Sequence, residues 1–257
     1  MDAAKPAAPF EYLLRLGDNA LVLSQRLSEW CGKGPALEED MALTNVALDL
    51  IGQARLWLSY AGELDSAGAG RSEDELAFLR DAGEFRNLLL VEQPNGSYAD
   101  TLMRQFLFDA WHALALRELA ASADPRVAEI AAKAQKEVAY HLRRSSDLVV
   151  RLGDGTEKSR AMMQAALEQL WPYTGEMFQG DALDRDAAAS GAGFDPAGLR
   201  APWLDYVGEV LAEATLKQPP AEAWMHSGGK QGRHTEKLGF LLAEMQFLQR
   251  AYPGARW

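Results

Sequence analysis

The feature that most narrows the fold is the spacing of apolar residues, which recurs at intervals of three and four almost from end to end. Leu13, Leu16, Ala20, Leu23, Leu27 and Trp30 open the pattern. Such spacing lines one side of an α-helix, whereas a half-buried strand would alternate every second residue. The segment CGKGP, Cys31 to Pro35, breaks the stripe. A second helix is predicted over 39–64, with Val46, Leu50, Trp57, Ala61 and Leu64 on one face, and SAGAG, Ser66 to Gly70, ends it. A shorter helix over 73–81 leads into EFRNLLLVEQPNG, an apolar run closed by the turn residues Pro94, Asn95 and Gly96. A third long helix covers 98–122. Asp124 and Pro125 then read as an N-cap and a first-turn proline, opening a fourth helix to Leu152. A fifth is predicted over 157–178, bent at Pro172. Residues 180–202, rich in Gly, Ala and Asp, read as irregular. Helices over 203–216 and 235–251 complete the chain. The expectation is a single all-α domain over 1–257: a ferritin-like four-helix bundle with additional packed helices, and residues 1–10 as a flexible N-terminus.

A chain of 257 residues, 48% hydrophobic and 25% charged, has the make-up of a soluble globular protein. Its net charge of −11 argues against nucleic acid or an anionic membrane as a partner. One cysteine, Cys31, excludes an intrachain disulfide and suits a reducing cytoplasm. No run approaches the roughly 18 apolar residues of a membrane span, and MDAAKPAAPF lacks a signal-peptide core.

Long helical bundles often house carboxylate-bridged di-iron centres. These take one Glu from each of two helices and a Glu-x-x-His from each of the other two. Carboxylates bridge and neutralise two hard cations, and imidazoles complete each coordination sphere. The predicted helices supply this set only in part. The first has no carboxylate on its inward stripe, with Asp18 off the stripe's centre. The second meets Asp49 and Gln53 and no histidine. The third offers Asp109 and His112, and the fourth Glu137 and His141 in KEVAYH. Glu-x-x-His occurs nowhere. Without metal, buried carboxylates need other partners, so a hydrogen-bonded network among Asp109, His112, Glu137 and His141 is expected.

Several stretches carry a resemblance: RLGDNALVLSQRLSEWCGKGP, ALDLIGQARLWLSYAGEL, FRNLLLVEQPNGSYADT, DAWH, KEVAYHLRRS and SGGKQGRHTEKLGFLLAEMQFLQR. From about Tyr12 to Trp257 the chain resembles the ferritin-like phenylacetate catabolism family, in the C-subunit branch of the multicomponent phenylacetyl-CoA epoxidases (phenylacetate-CoA oxygenases). The resemblance implies a non-catalytic, structural member of a monooxygenase complex for aromatic compound degradation. In such a complex the di-iron centre and the thioester are held by a paralogous A subunit. A small B subunit bridges the assembly, and a separate reductase passes electrons from NADPH. The resemblance implies no cofactor in this chain, and the isolated chain is expected to be able to pair with itself as a homodimer. Asp49, Gln53, Asp109, His112, Glu137 and His141 then read as degenerate ligand positions. Where a catalytic paralogue carries Glu-x-x-His, this chain has Leu50-Ile51-Gly52-Gln53 and Val138-Ala139-Tyr140-His141. A shift of one position turns a helical side chain by about 100°.

SGGKQGR, Ser227 to Arg233, sets glycines beside Lys230 and Arg233 ahead of a helix. It reads either as a cradle for a coenzyme A phosphate or as a basic loop for an acidic partner. Arg86 and Asn87, in EFRN, are candidates for the same contact, unless Asn87 caps a helix. Trp30, Trp57, Trp111, Trp171, Trp203 and Trp224 read as core or interface anchors. Two alternatives to a structural role stay open at this point: a metal-dependent, di-iron oxidase in its own right, and a coenzyme-A-thioester-binding module.

Overall fold

The computed structural model describes residues 9–65, 70–220 and 222–255. Among them there are ten α-helices and no strand: α1 Phe10–Ser28, α2 Leu37–Glu63, α3 Glu73–Phe78, α4 Tyr98–Leu119, α5 Pro125–Gly153, α6 Glu157–Leu170, α7 Ala182–Ala189, α8 Arg200–Glu213, α9 Glu236–Met245 and α10 Phe247–Ala251. The fold is all-α and ferritin-like. Of the N-terminal segment expected to be flexible, residues 1–8 lie outside the described residues, and Phe10 already belongs to α1. Of the predicted stop after α2, Ser66 to Gly70, residues 66–69 also lie outside them, and α2 closes at Glu63.

The described residues pack as two compact units. One comprises Pro9–Pro94 together with Gly228–Trp257. Its frame is the antiparallel pair α1 and α2, which approach so closely that a Cβ on Gly17 would stand 2.7 Å from the Leu58 side chain. Leu13, Leu23, Leu27, Val46, Leu50, Trp57 and Ala61 form the seam, as the apolar spacing predicts. Ser72 and Glu75 cap α3 reciprocally. Gln246, where α9 gives way to α10, donates to the carbonyls of Ala77 and Arg80 at 3.0 Å each. The single helix expected over 235–251 is therefore two.

The other unit, Asn95–Ser227, is framed by the antiparallel pair α4 and α5. Ser97 and Asp100 form a capping box on α4. Asp124 accepts from the backbone of Arg126 and Val127 with Pro125 at the first position of α5, so the predicted start is observed. Trp203 donates to the Leu107 carbonyl at 3.1 Å and Trp111 to that of Met177 at 3.2 Å. These bonds pin α8 and the turns after α6 onto α4. Trp57, Trp111, Trp171 and Trp203 are buried, while Trp224 is exposed.

Two expectations need correction here. α6 does not bend at Pro172 and run on to Phe178. It ends at Leu170, because proline has no N–H to continue the ladder, and two 3₁₀ turns follow. The stretch 180–202 is not irregular throughout. Asp181 and Asp184 cap α7 reciprocally, an alanine-rich turn follows, and α8 begins at Arg200.

Candidate functional site

Inside the Asn95–Ser227 unit, α4 presents Asp109 and His112, and α5 presents His141 and Ser145. Asp109 is fully buried, and both its oxygens are taken: Gln105 Nε2 donates to Oδ1 at 2.6 Å and Ser145 Oγ to Oδ2 at 2.9 Å. Burial pushes its pKa up to about 6, against the opposing pull of His141, the two hydrogen bonds and Arg144. His112 lies beside the rings of Phe108 and Trp111, 5.0 and 6.4 Å away. Burial pushes its pKa down to about 3, with the charge of His141 acting the same way. His112 is therefore a neutral imidazole at neutral pH. Glu137, one turn before His141, is half-buried. Of the expected network, the structure brings His141 within electrostatic reach of both Asp109 and His112. Asp109 itself bonds to Gln105 and Ser145, neither of which is a metal-ligand type that the bundle pattern points to. Gln105 was legible in principle, since it precedes Asp109 by one helical turn.

These side chains do not fit a bridged pair of irons. Among the described residues no group of three or more His, Cys, Asp or Glu side chains is placed to hold a metal ion. Asp109, the carboxylate at the α4 position, is satisfied instead by an amide and a hydroxyl.

In the other unit, Gln53 is buried and Asp49 half-buried on α2. Asp18, expected off the inward stripe of α1, is wholly buried. Its carboxylate is paired with Arg80 through both oxygens and accepts the Arg86 backbone N–H at 2.8 Å. α1 is enclosed on most of its circumference, so a residue off the stripe is still inside.

A second buried carboxylate, Glu92, was not singled out from the sequence. It accepts from Asn87 Nδ2 at 3.0 Å, His234 Nδ1 at 2.7 Å, and the backbone and hydroxyl of Thr235 at 2.7 Å each. The other nitrogen of His234 faces the Phe85 carbonyl at 3.0 Å. A carbonyl only accepts, so this nitrogen carries a proton, and the Glu92 carboxylate beside Nδ1 favours protonation of the ring. Burial alone would lower its pKa, but Glu92 and the Phe85 carbonyl together raise it. The signal was present in the sequence: a lone Glu within LLLVEQ has to find a donor.

That arrangement places the remaining candidates. Asn87 is wholly buried, bonded to Glu92 beneath the surface, and no helix begins after it for it to cap. Arg86 is half-buried, its guanidinium donating to the carbonyls of Gly83 and Phe85. Lys230 is buried and Arg233 exposed. The glycines around them serve close packing. A Cβ on Gly229 would lie 2.2 Å from the Asn87 carbonyl oxygen, and one on Gly232, at φ +76°, 2.2 Å from that of Gly83.

The sequence model of the family described as "Phenylacetic acid catabolic protein" matches residues 1–257. The chain belongs to the phenylacetic acid catabolic protein family. Within it, the chain is 54% identical over 246 residues to a protein of Escherichia coli (strain K12), the C subunit of 1,2-phenylacetyl-CoA epoxidase. The match covers 96% of this chain and 98% of that protein. The ferritin-like helices described above are thus those of a phenylacetic acid catabolic protein. Among the described residues no helix is long and apolar enough to cross a membrane.

Proposed function

We propose that this chain is the non-catalytic structural subunit of a cytoplasmic, multicomponent phenylacetyl-CoA ring epoxidase. In this reading it binds a paralogous ferritin-like A subunit that holds the di-iron centre and the thioester. A small B subunit joins the assembly, and a reductase delivers electrons from NADPH. The chain needs no metal of its own. The observation that carries the reading is Asp109, which spends both oxygens on the neutral donors Gln105 and Ser145. That interior is arranged for burial rather than for redox chemistry. The 54% identity to the C subunit of an epoxidase supports the same reading. The coenzyme-A-binding alternative has less support, because Lys230 is buried and its neighbouring glycines are used in backbone packing.

Co-expression with the A-type subunit tests the proposal. A stable complex is expected on size-exclusion chromatography, with iron following the A-type subunit in elemental analysis. Turnover of phenylacetyl-CoA with B subunit and reductase should drop when this chain is omitted. Full turnover without it, or near-stoichiometric iron in this chain purified alone, would refute the assignment.

A further inference from the structure

α2 is apolar on two opposite sides. At 100° per residue, Leu43, Val46, Leu50, Gln53, Trp57 and Ala61 cluster on the buried side. Leu37, Met41, Leu48 and Ile51 fall within a narrow arc on the other side and are 72%, 58%, 61% and 37% exposed. The exposed stripe runs roughly 21 Å along the helix. Exposed apolar residues scattered singly are ordinary, but four along one side of a helix, interrupted only by Thr44 and Asn45, mark an interaction face. The surface has a matching notch. Gly52 has nothing within 4 Å of where a Cβ would stand. Beside it, a cavity of about 430 Å³ opens between α2 and α3, bordered by Leu48, Ile51, Arg55, Asp74 and Phe78.

The charges around the stripe define what fits it. α2 carries Glu38, Glu39, Asp40, Asp49 and Glu63 against one base, Arg55, and α3 opens with Glu73, Asp74 and Glu75. Arg55 is itself engaged with Glu73 at 3.3 Å. Two copies of this chain meeting here would set acid against acid, in a molecule already at −11. We infer that the outward face of α2 docks an amphipathic helix of a different protein subunit, apolar along its centre and flanked by Lys or Arg. This inference rests on the proposal that the chain is part of an oxygenase complex, and it names the surface and the chemistry of the helix that surface receives.

The test is titration of the purified A-type subunit against the full chain by biolayer interferometry. The variants are Met41→Asp, Leu48→Asp and the pair, with circular dichroism and thermal melting as folding checks. Because these side chains are exposed, the melts should match wild type. Each single variant is expected to weaken Kd at least about 10-fold, and the pair at least about 100-fold. Glu38→Lys with Asp74→Lys should weaken binding at 50 mM salt and lose that effect as salt rises. If wild type binds the A-type subunit and the aspartate variants bind it equally well, the docking face is wrong while the subunit proposal survives. If wild type does not bind at all, the subunit proposal fails and takes this inference with it. Self-association of the chain abolished by Leu48→Asp, with A-subunit binding unchanged, would make a second copy the occupant and overturn the inference.

Discussion

Replacing Asp109 by Asn should make the protein acid-labile over a range where wild type is not. In the folded chain Asp109 titrates at about 6 instead of 3.8. A carboxyl with a raised pKa stabilises the native state below its unfolded value, and that contribution fades as pH rises through 6. His112 does the opposite, titrating at about 3 instead of 6.5. Its contribution is full above pH 6.5 and is lost on acidification, because the unfolded imidazole takes up a proton that the buried one refuses. Each group changes stability by roughly 1.4 kcal/mol per pH unit where only one state is protonated. Between pH 6 and 4 the two slopes cancel. Asn has a similar shape and does not titrate, so Asp109→Asn leaves the His112 slope unopposed. The variant should lose roughly 2 to 3 kcal/mol more than wild type on going from pH 6 to pH 4. Urea unfolding at half-unit pH steps measures this directly. Parallel stability curves for the two proteins across that interval would show that these groups do not titrate as their burial dictates.

Asp18→Ala leaves the Arg80 guanidinium buried without its carboxylate and should destabilise by roughly 3 to 5 kcal/mol, visible in thermal melts, with much of the loss recovered in Asp18→Ala/Arg80→Met. No recovery in the double variant would mean that the cost lies elsewhere than in the orphaned charge. His234→Gln removes an imidazole whose pKa is raised by folding. The stability advantage of wild type should therefore be complete below about pH 6.5 and shrink as pH rises above it. Unfolding midpoints of the two proteins should converge in alkaline buffer, and an advantage that grows there would reverse the charge assignment.

The helical frame was legible because each long helix repeats one apolar stripe, and because Asp124-Pro125 announces a helix start chemically. Asp109, His112 and His141 were legible as inward polar residues for the same reason. What could not be read was set by tertiary enclosure. Asp18 lies off its own stripe yet is buried, because α1 is surrounded and no single-face pattern describes it. The outer stripe of α2 was masked by the inner one, since a helix apolar on two sides has little net amphipathicity to detect. α7 was missed because its signal is a reciprocal aspartate cap and not an apolar period. Glu92 and His234 lie 142 residues apart, and no local spacing joins them.

That separation sets an order of assembly. The unit Asn95–Ser227 is contiguous in sequence, whereas the other is split into one stretch made before it and one made after it. While the chain is being synthesised, Glu92 emerges with Asn87 already available but without the imidazole that neutralises it. At about 5 to 20 residues per second, His234 follows roughly 7 to 28 s later. The middle of the chain has time to fold completely in that interval, while the N-terminal helices wait with a bare carboxylate among leucines. The nascent protein is thus most exposed to chaperones and proteases through the stretch Pro9–Pro94, and emergence of His234 with α9 closes that window.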